Sequence, residues 1–265
     1  MAKIKLGTYK SITPSETYLS FAPCYQQNNS TNITDLSGKQ NNMEFNLNRS
    51  GLSVAEAWAT QNKISTVYAG ASSTAKGFYL PLTAINSVDF SKDEGIIILC
   101  TVTVSTPAAA TGFVAQGSST TDTGLRVGIT TGNVLKPSFY SSTEQLFFPD
   151  PSALTPGAPT KVLLYYGGQG GSVKFACFLN GVSNQVNISS ASTSGNISPS
   201  GRVEPLYFGM YKISTNNYSS LTASFSSVHV MKVTNTGTVT FNDLQDIATR
   251  YKMSPDSAFT KEEVS

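Results

Sequence analysis

The chain has one histidine, His229, and this limits the catalytic chemistry that its residues could perform. A serine or cysteine nucleophile normally needs a neighbouring imidazole to take its proton, and a third group orients that base. The sequence contains no Gly-x-Ser-x-Gly segment, and no acidic residue stands beside His229. The histidine lies in a strand-like run of apolar and hydroxyl residues. We therefore interpret it as a structural or surface residue, not as a general base.

Carboxylates in an alternating strand would indicate a glycoside hydrolase, because that chemistry uses two acidic groups that face each other across the sugar. No Glu-x-Asp-x-Glu strand is present. The closest acidic groups are Asp89, Asp93 and Glu94, in a turn before an apolar run, and Glu262 with Glu263 near the C-terminus. Solvated turn and tail charges explain both groups. We expect no enzymatic activity, and a hydrolase with unrecognised acids is the weakest of three hypotheses.

Metal and phosphate sites have little support in the sequence. Asp35, Asp122 and Asp150 are loop carboxylates that could hold Ca²⁺, but an aspartate near glycine is more often a turn former. The glycine-rich segment 167–171 lacks the Lys-Ser/Thr pair of a P-loop and leads into a strand pattern. The prediction is that the protein has no metal site and no cofactor.

Aromatic residues beside polar loop residues are the remaining candidates for chemistry. An aromatic face can stack on a pyranose while amide and carboxylate groups bind the hydroxyls. The candidates for ligand binding are Trp58, Tyr68, Tyr140, Tyr211 and Tyr218. The alternative is that these side chains fill the edge of the core or a subunit interface.

Composition excludes several classes of partner. Hydrophobic residues make up 39% of the chain, with 14 Phe and 12 Tyr, which is enough for a real core. Charged residues make up only 13%, and the net charge of +2 includes no basic run that could follow a phosphate backbone. The N-terminal segment has no apolar stretch of the kind that a signal or a membrane span requires. We expect neither nucleic acid nor a membrane as a partner.

The elements that must position these residues are predicted to be antiparallel strands. Short runs rich in Val, Ile, Phe, Tyr and Thr are bounded by Gly, Pro, Asn or Ser, as strands are. The predicted strands are 78–82, 95–104, 112–116, 125–129, 162–166, 173–179, 206–211 and 224–233. Within 173–179, alternation places Val173, Phe175, Cys177 and Leu179 on one buried face. Cys24, Cys100 and Cys177 are odd in number and lack CxxC spacing, so we expect reduced thiols.

One helix is predicted near the C-terminus. Thr240 and Asp243 have the spacing of a capping box, and Pro255 would stop the helix. Leu244, Ile247, Ala248 and Tyr251 recur at helical spacing and should pack on the sandwich.

Four segments together resemble the laminin G-like modules of the concanavalin A-like lectin and glucanase superfamily, of the kind found in bacteriophage virion proteins. They are the Asp-Leu-Ser-Gly segment with paired asparagines at 35–42, the strand and Asn-Gly turn at 173–181, the strand at 205–209, and the closing strand and helix at 225–230 and 244–247. The resemblance implies an all-β, two-sheet antiparallel jelly-roll sandwich with one short C-terminal helix. It covers about residues 30–253, and the segment 51–70 departs from it.

The predicted organisation is an N-terminal arm over 1–25, a laminin G-like domain over 26–255 and a polar tail over 256–265. The arm carries apolar residues that could lie along a neighbouring subunit: Ile4, Leu6, Ile12, Tyr18, Leu19 and Phe21. By analogy with the family, the leading hypothesis is a virion structural or assembly protein of a tailed bacteriophage, made in the host cytoplasm. It would be a head decoration, fibre or tail-associated module that binds other virion proteins or itself as a homo-oligomer. The alternative is a glycan-binding lectin module that recognises a host surface.

Overall fold

The computed structural model of the protein describes residues 77–116, 123–214 and 217–253, together with four strands that precede them. The described strands, numbered along the chain, are β1 (Thr17–Phe21), β2 (Asn32–Ile33), β3 (Met43–Phe45), β4 (Ile64–Thr66), β5 (Phe78–Leu80), β6 (Glu94–Val104), β7 (Thr111–Ala115), β8 (Gly124–Ile129), β9 (Leu135–Tyr140), β10 (Gln145–Phe147), β11 (Thr160–Gln169), β12 (Ser172–Leu179), β13 (Ser189–Ser192), β14 (Leu206–Phe208), β15 (Met210–Ser214), β16 (Asn217–Ser220) and β17 (Ala223–Thr234). The α-helices among the described residues are α1 (Leu82–Ile85) and α2 (Phe241–Met253).

These strands form two large antiparallel sheets and a small hairpin. The first sheet has the order β1-β17-β6-β11-β12-β13, with β4 also paired to β17. The second has the order β10-β9-β8-β7-β14-β5-β3-β2. Strands β15 and β16 form a separate two-stranded sheet. Adjacent strands in a sheet are often far apart in sequence, as β17 and β6 are. The chain therefore passes back and forth between the two sheets. The fold class predicted from the sequence, a two-sheet antiparallel jelly-roll sandwich, is confirmed.

The main core lies between the two sheets. On β12, Val173, Phe175 and Cys177 are fully buried in this core and Leu179 packs against it, as their alternation predicts. The ring of Phe175 lies 4.9 Å from that of Tyr166 on the neighbouring strand β11. Because β11 and β12 are joined by a tight turn at Gly170 and Gly171, both with positive φ, the glycine-rich segment is a hairpin, not a phosphate loop.

A second apolar layer lies on the outer face of the seven-stranded sheet, under helix α2. The capping box is present: the Thr240 N–H donates to Oδ2 of Asp243 (2.9 Å), and the Asp243 N–H donates to Oγ1 of Thr240 (3.2 Å). The predicted stripe is buried in full and packs on the sheet: Leu244, Ile247, Ala248 and Tyr251. No helix among the described residues is long and apolar enough to cross a membrane.

The structure departs from the predicted elements in three ways. The run 206–211 is not one strand, because Gly209 has φ +67° and divides it into β14 and β15. The strands that were not predicted are β1, β2, β3, β4, β9, β10, β13 and β16. Of these, β9 contains Pro137, β10 is short and β13 consists of Ser and Ala. The one-turn helix α1, which follows Pro81, is a further addition.

The arm is described only at β1, whose backbone pairs with β17 of the same chain, with Leu19 opposite Val230 and Phe21 opposite Val228. This part of the predicted arm, which also contains Tyr18, therefore belongs to the seven-stranded sheet by its backbone pairing. Ile4, Leu6 and Ile12, the segment 35–42, Cys24 and the tail 256–265 lie outside the described residues. A role of the arm in binding another chain stays a prediction.

Candidate functional site

A groove of about 520 Å³ lies on the outer face of the eight-stranded sheet, at the end formed by β8, β9 and β10. Successive residues of a strand point to opposite faces. On β8, Leu125, Val127 and Ile129 enter the core between the sheets, so Arg126 and Gly128 face outward. The groove is therefore formed by the outward residues of strands whose inward residues fill the core.

One row of side chains crosses three strands of this groove. The register pairs Arg126 of β8 with Ser138 of β9, and Ser138 with Phe147 of β10. Directly opposed residues of an antiparallel pair have Cβ atoms about 5 Å apart. Ser138 is small, so it leaves a gap between the two large side chains. In the next row Gly128 lies opposite Lys136 and adds no side chain to the floor.

Arg126 is held in place by two tyrosines. Its guanidinium carbon lies 4.2 Å from the centre of the Tyr211 ring, within the range of a cation–π contact. Its Nη1 also donates a hydrogen bond of 2.9 Å to the hydroxyl of Tyr140. These contacts limit the rotamers that the long arginine side chain can adopt, so the positive charge has a defined position at one end of the row.

Tyr211 in turn depends on a glycine beneath it. Gly112 of β7 pairs with Gly128 of β8, and a Cβ atom at Gly112 would lie 2.6 Å from Cδ1 of Tyr211 and 2.7 Å from the backbone carbon of Met210. The hairpin of β15 and β16 can therefore lie directly on the sheet only because residue 112 has no side chain. This close approach places the Tyr211 ring beside Arg126.

The other end of the row is apolar and open. The side chain of Phe147 on the edge strand β10 is 72% exposed. Beside it, Nε2 of Gln145 donates to Oγ of Ser138 (2.9 Å), and Lys136 forms an ion pair with Asp150. The groove thus combines an exposed aromatic ring with an amide, a hydroxyl, a carboxylate and two cationic groups.

Asp150 is the single carboxylate among the described residues that line the groove, and it forms an ion pair with Lys136. Within the same part of the chain, no three His, Cys, Asp or Glu side chains come together as a metal site would require.

Three of the five ligand residues predicted from the sequence are described, and they occupy different positions relative to the groove. Tyr211 lines the groove and Tyr140 supports Arg126 from the side. Tyr218 is 1% exposed and packs against Tyr207, with ring centres 5.8 Å apart, because β16 folds back on the sheet; it does not line the groove. Trp58 and Tyr68 lie outside the described residues. Four groove residues were not predicted from the sequence: Arg126, Ser138, Gln145 and Phe147. The one signal that could have indicated a member of this set is the alternation on β8, which places Arg126 on the outward face.

The remaining candidates occupy structural positions. Asp89 Oδ1 accepts the Ser91 N–H (3.0 Å) at the start of a 3₁₀ turn over Phe90–Lys92, and Glu94 pairs with Lys232 (2.6 Å). His229 is buried on β17 with its ring 6.0 Å from that of Tyr251, under helix α2. The buried position of His229 agrees with its interpretation as a structural residue. Asp89 and Glu94, in contrast, are partly buried and bonded to neighbouring residues, so they are not the solvated turn charges that the sequence predicted.

The sequence matches no protein-family model, and the comparison with curated proteins gave no match. Solved structures with a similar fold include the Trypanosoma rangeli sialidase in complex with sialic acid, with a TM-score of 0.57 and 10% identity, covering 91% of this chain and 33% of the sialidase. The same sialidase in complex with 2,3-difluorosialic acid gives a TM-score of 0.55 and 10% identity, covering 97% of this chain and 35% of the sialidase. A CBM40 domain of the Ruminococcus gnavus IT-sialidase bound to alpha2,6 sialyllactose gives a TM-score of 0.45 and 13% identity, covering 70% of this chain and 97% of that domain.

The chain therefore spans about a third of the length of the sialidase that it resembles, and at this identity the similarity concerns the fold. Fold and groove together define a class: a two-sheet β-sandwich protein with an open, mixed aromatic and polar groove on one outer face. The narrower laminin G-like and bacteriophage parts of the predicted resemblance stay predictions.

Proposed function

We propose that this protein is a non-enzymatic glycan-binding module and that the groove on the eight-stranded sheet is its binding site. The observation that carries the proposal is the row in which Phe147, Ser138 and Arg126 lie side by side. A sugar ring could stack on Phe147 above the gap at Ser138, while polar groups bind its hydroxyls.

The chemistry of the lining supports this class of ligand. Sugars present an apolar ring face and a rim of hydroxyls, so their sites combine an aromatic platform with amide, carboxylate and hydroxyl groups. Phe147, Gln145 and Asp150 supply this combination within one groove. The fold similarity to a sialidase bound to sialic acid is consistent with the proposal but concerns the fold alone.

The absence of catalysis is part of the proposal. Hydrolysis of a glycosidic bond by the usual route needs two carboxyl groups flanking it, and the described groove residues include Asp150 alone. The virion assembly role expected from the sequence gains no support from the described residues. It stays a prediction that is compatible with a lectin on the same particle.

The test is binding to a glycan array followed by calorimetric titration of the best ligand. We expect Phe147→Ala to weaken binding at least about tenfold, as loss of a central contact residue does. Because Phe147 is mostly exposed, the variant should melt close to the wild type. The matched control is Met253→Ala, since Met253 is 78% exposed at the end of α2 on the opposite face. Failure to bind any glycan, or equal affinity of wild type and Phe147→Ala, would contradict the proposal.

A further inference from the structure

The guanidinium of Arg126 is held in position by two tyrosines, and binding a neutral sugar would not require a positive charge fixed in this way. Its guanidinium lies against Tyr211 and is bonded to Tyr140, and no described carboxylate forms an ion pair with it. The nearby Asp150 is engaged by Lys136, so the charges of those two cancel. Among the described residues that line the groove, one positive charge is therefore not paired with a carboxylate, and it is that of Arg126.

Tyr211 also has a different role from the one that its aromatic ring first suggests. One face of the ring is covered by the guanidinium at 4.2 Å, and a Cβ at Gly112 would come within 2.6 Å of the same side chain. A ring covered in this way is a poor platform for a sugar. Tyr211 is a positioning residue for Arg126, and Phe147 is the ring that remains open for stacking.

From these observations we infer that the groove selects glycans that carry an acidic group, a carboxylate or a sulfate, and that Arg126 binds that group. The inference rests on the proposed glycan-binding function. Arginine is charged at every physiological pH, and its planar N–H groups match the oxygens of such anions. Two strand spacings, about 10 Å, separate the strands of Arg126 and Phe147. A sugar ring stacked on Phe147 could therefore direct an acidic substituent towards Arg126.

The experiment compares glycans that share a core and differ in charge: lactose, 3′-sialyllactose and 3′-sulfated lactose, with galactose and galacturonate oligomers as a second set. We expect the acidic member of a bound set to bind at least about tenfold more tightly, the usual contribution of a hydrogen bond to a charged group. The preference should decrease as NaCl is raised, because salt screens a partly exposed charge pair. The sialylated and sulfated arms distinguish the two sources of negative charge.

Variants of Arg126 separate recognition of the acidic group from binding of the rest of the glycan. Arg126→Gln should reduce the ratio of acidic to neutral affinity to about one, whereas Arg126→Lys should leave an intermediate ratio, because it keeps the charge without the planar fork. The matched control is Arg250→Gln, since Arg250 is paired with Asp246 on α2. Thermal melting confirms that each variant is folded.

The outcomes are distinct. Equal affinity for neutral and acidic members of every bound set, or a preference that survives Arg126→Gln, would overturn the inference while leaving the glycan-binding proposal standing. Binding to none of the glycans on the array would instead overturn the proposed function, and with it this inference.

Discussion

The two outer faces of the sandwich follow the same alternation of inward and outward residues, but one is covered by a helix and the other carries an open groove. On the seven-stranded sheet the outward residues of β11, Leu163 and Tyr165, are apolar and covered by helix α2. On the eight-stranded sheet the outward residues of β8 are Arg126 and Gly128, and this end of the sheet is open as a groove. An outward apolar row requires a cover, whereas an outward row of polar and small residues can remain available to a ligand.

Whether a face is covered by another element also decides the role of an outward aromatic residue. Phe178 on β12 faces outward but is completely buried, with its ring 5.1 Å from that of Phe241 on α2. Phe147 on β10 also faces outward but is 72% exposed. The same residue type is therefore part of a core on one face and, as we propose, a ligand platform on the other.

The sharpest test of this difference is a pair of alanine variants. We expect Phe178→Ala to lower the free energy of unfolding by about 3 to 5 kcal/mol, since it leaves a cavity under the helix. Phe147→Ala should change it by less than about 0.5 kcal/mol, as exposed substitutions do. Urea unfolding of both variants measures the difference. Similar losses for the two would mean that the open face is also a structural surface.

Alkaline pH tests the buried side in another way. Burial raises the pKa of the Cys177 thiol and of the hydroxyls of Tyr165 and Tyr166. The folded state therefore keeps protons that the unfolded chain loses above about pH 8.5 for cysteine and pH 10 for tyrosine. Stability is fully present below these values and falls as the pH rises, by about 1.4 kcal/mol per pH unit for each group.

Urea midpoints between pH 8 and pH 11 check this expectation. Cys177→Ala is the control, because it should reduce the slope between pH 8.5 and pH 10 while leaving the tyrosine part above pH 10. A midpoint that does not change up to pH 11 would contradict burial of these groups.

The smallest expected effect concerns the hydroxyl of Tyr251 under helix α2. It lies 2.8 Å from Oγ of Ser227 and 3.0 Å from Oγ1 of Thr101, and these two are also bonded to each other (3.1 Å). We expect Tyr251→Phe to cost about 1 kcal/mol in the free energy of unfolding, a typical value for one hydrogen bond. Tyr140→Phe on the open face should cost less and should instead weaken ligand binding through Arg126. A larger stability loss in Tyr140→Phe would reverse this part of the comparison.

The sequence was sufficient where local pattern and burial agree. The alternation of Val173, Phe175 and Cys177 predicted the inner face of β12, and the capping box at Thr240 predicted the start of α2. It failed at β9 and β13, because Pro137 and the serines of 189–192 have low strand propensity and are held by pairing with neighbouring strands.

The groove could not be found in this way. Arg126, Ser138 and Phe147 are separated by up to 21 residues along the chain, and each lies in an ordinary setting when read alone. They become a row only through the register of β8 with β9 and of β9 with β10. Likewise, the place of Tyr211 beside Arg126 depends on the close approach of β15 to Gly112.

The sequence by itself therefore determined the class of fold, the inward faces of the main strands and the helix that covers one sheet, because these follow from residue periodicity and local hydrogen bonds. The tertiary structure alone decided which outward residues become neighbours and which of the two outer faces stays open. The physical reason is that strand register and cover are set by pairing between segments distant in the chain, and a shift of one residue would send every side chain of a strand to the other face.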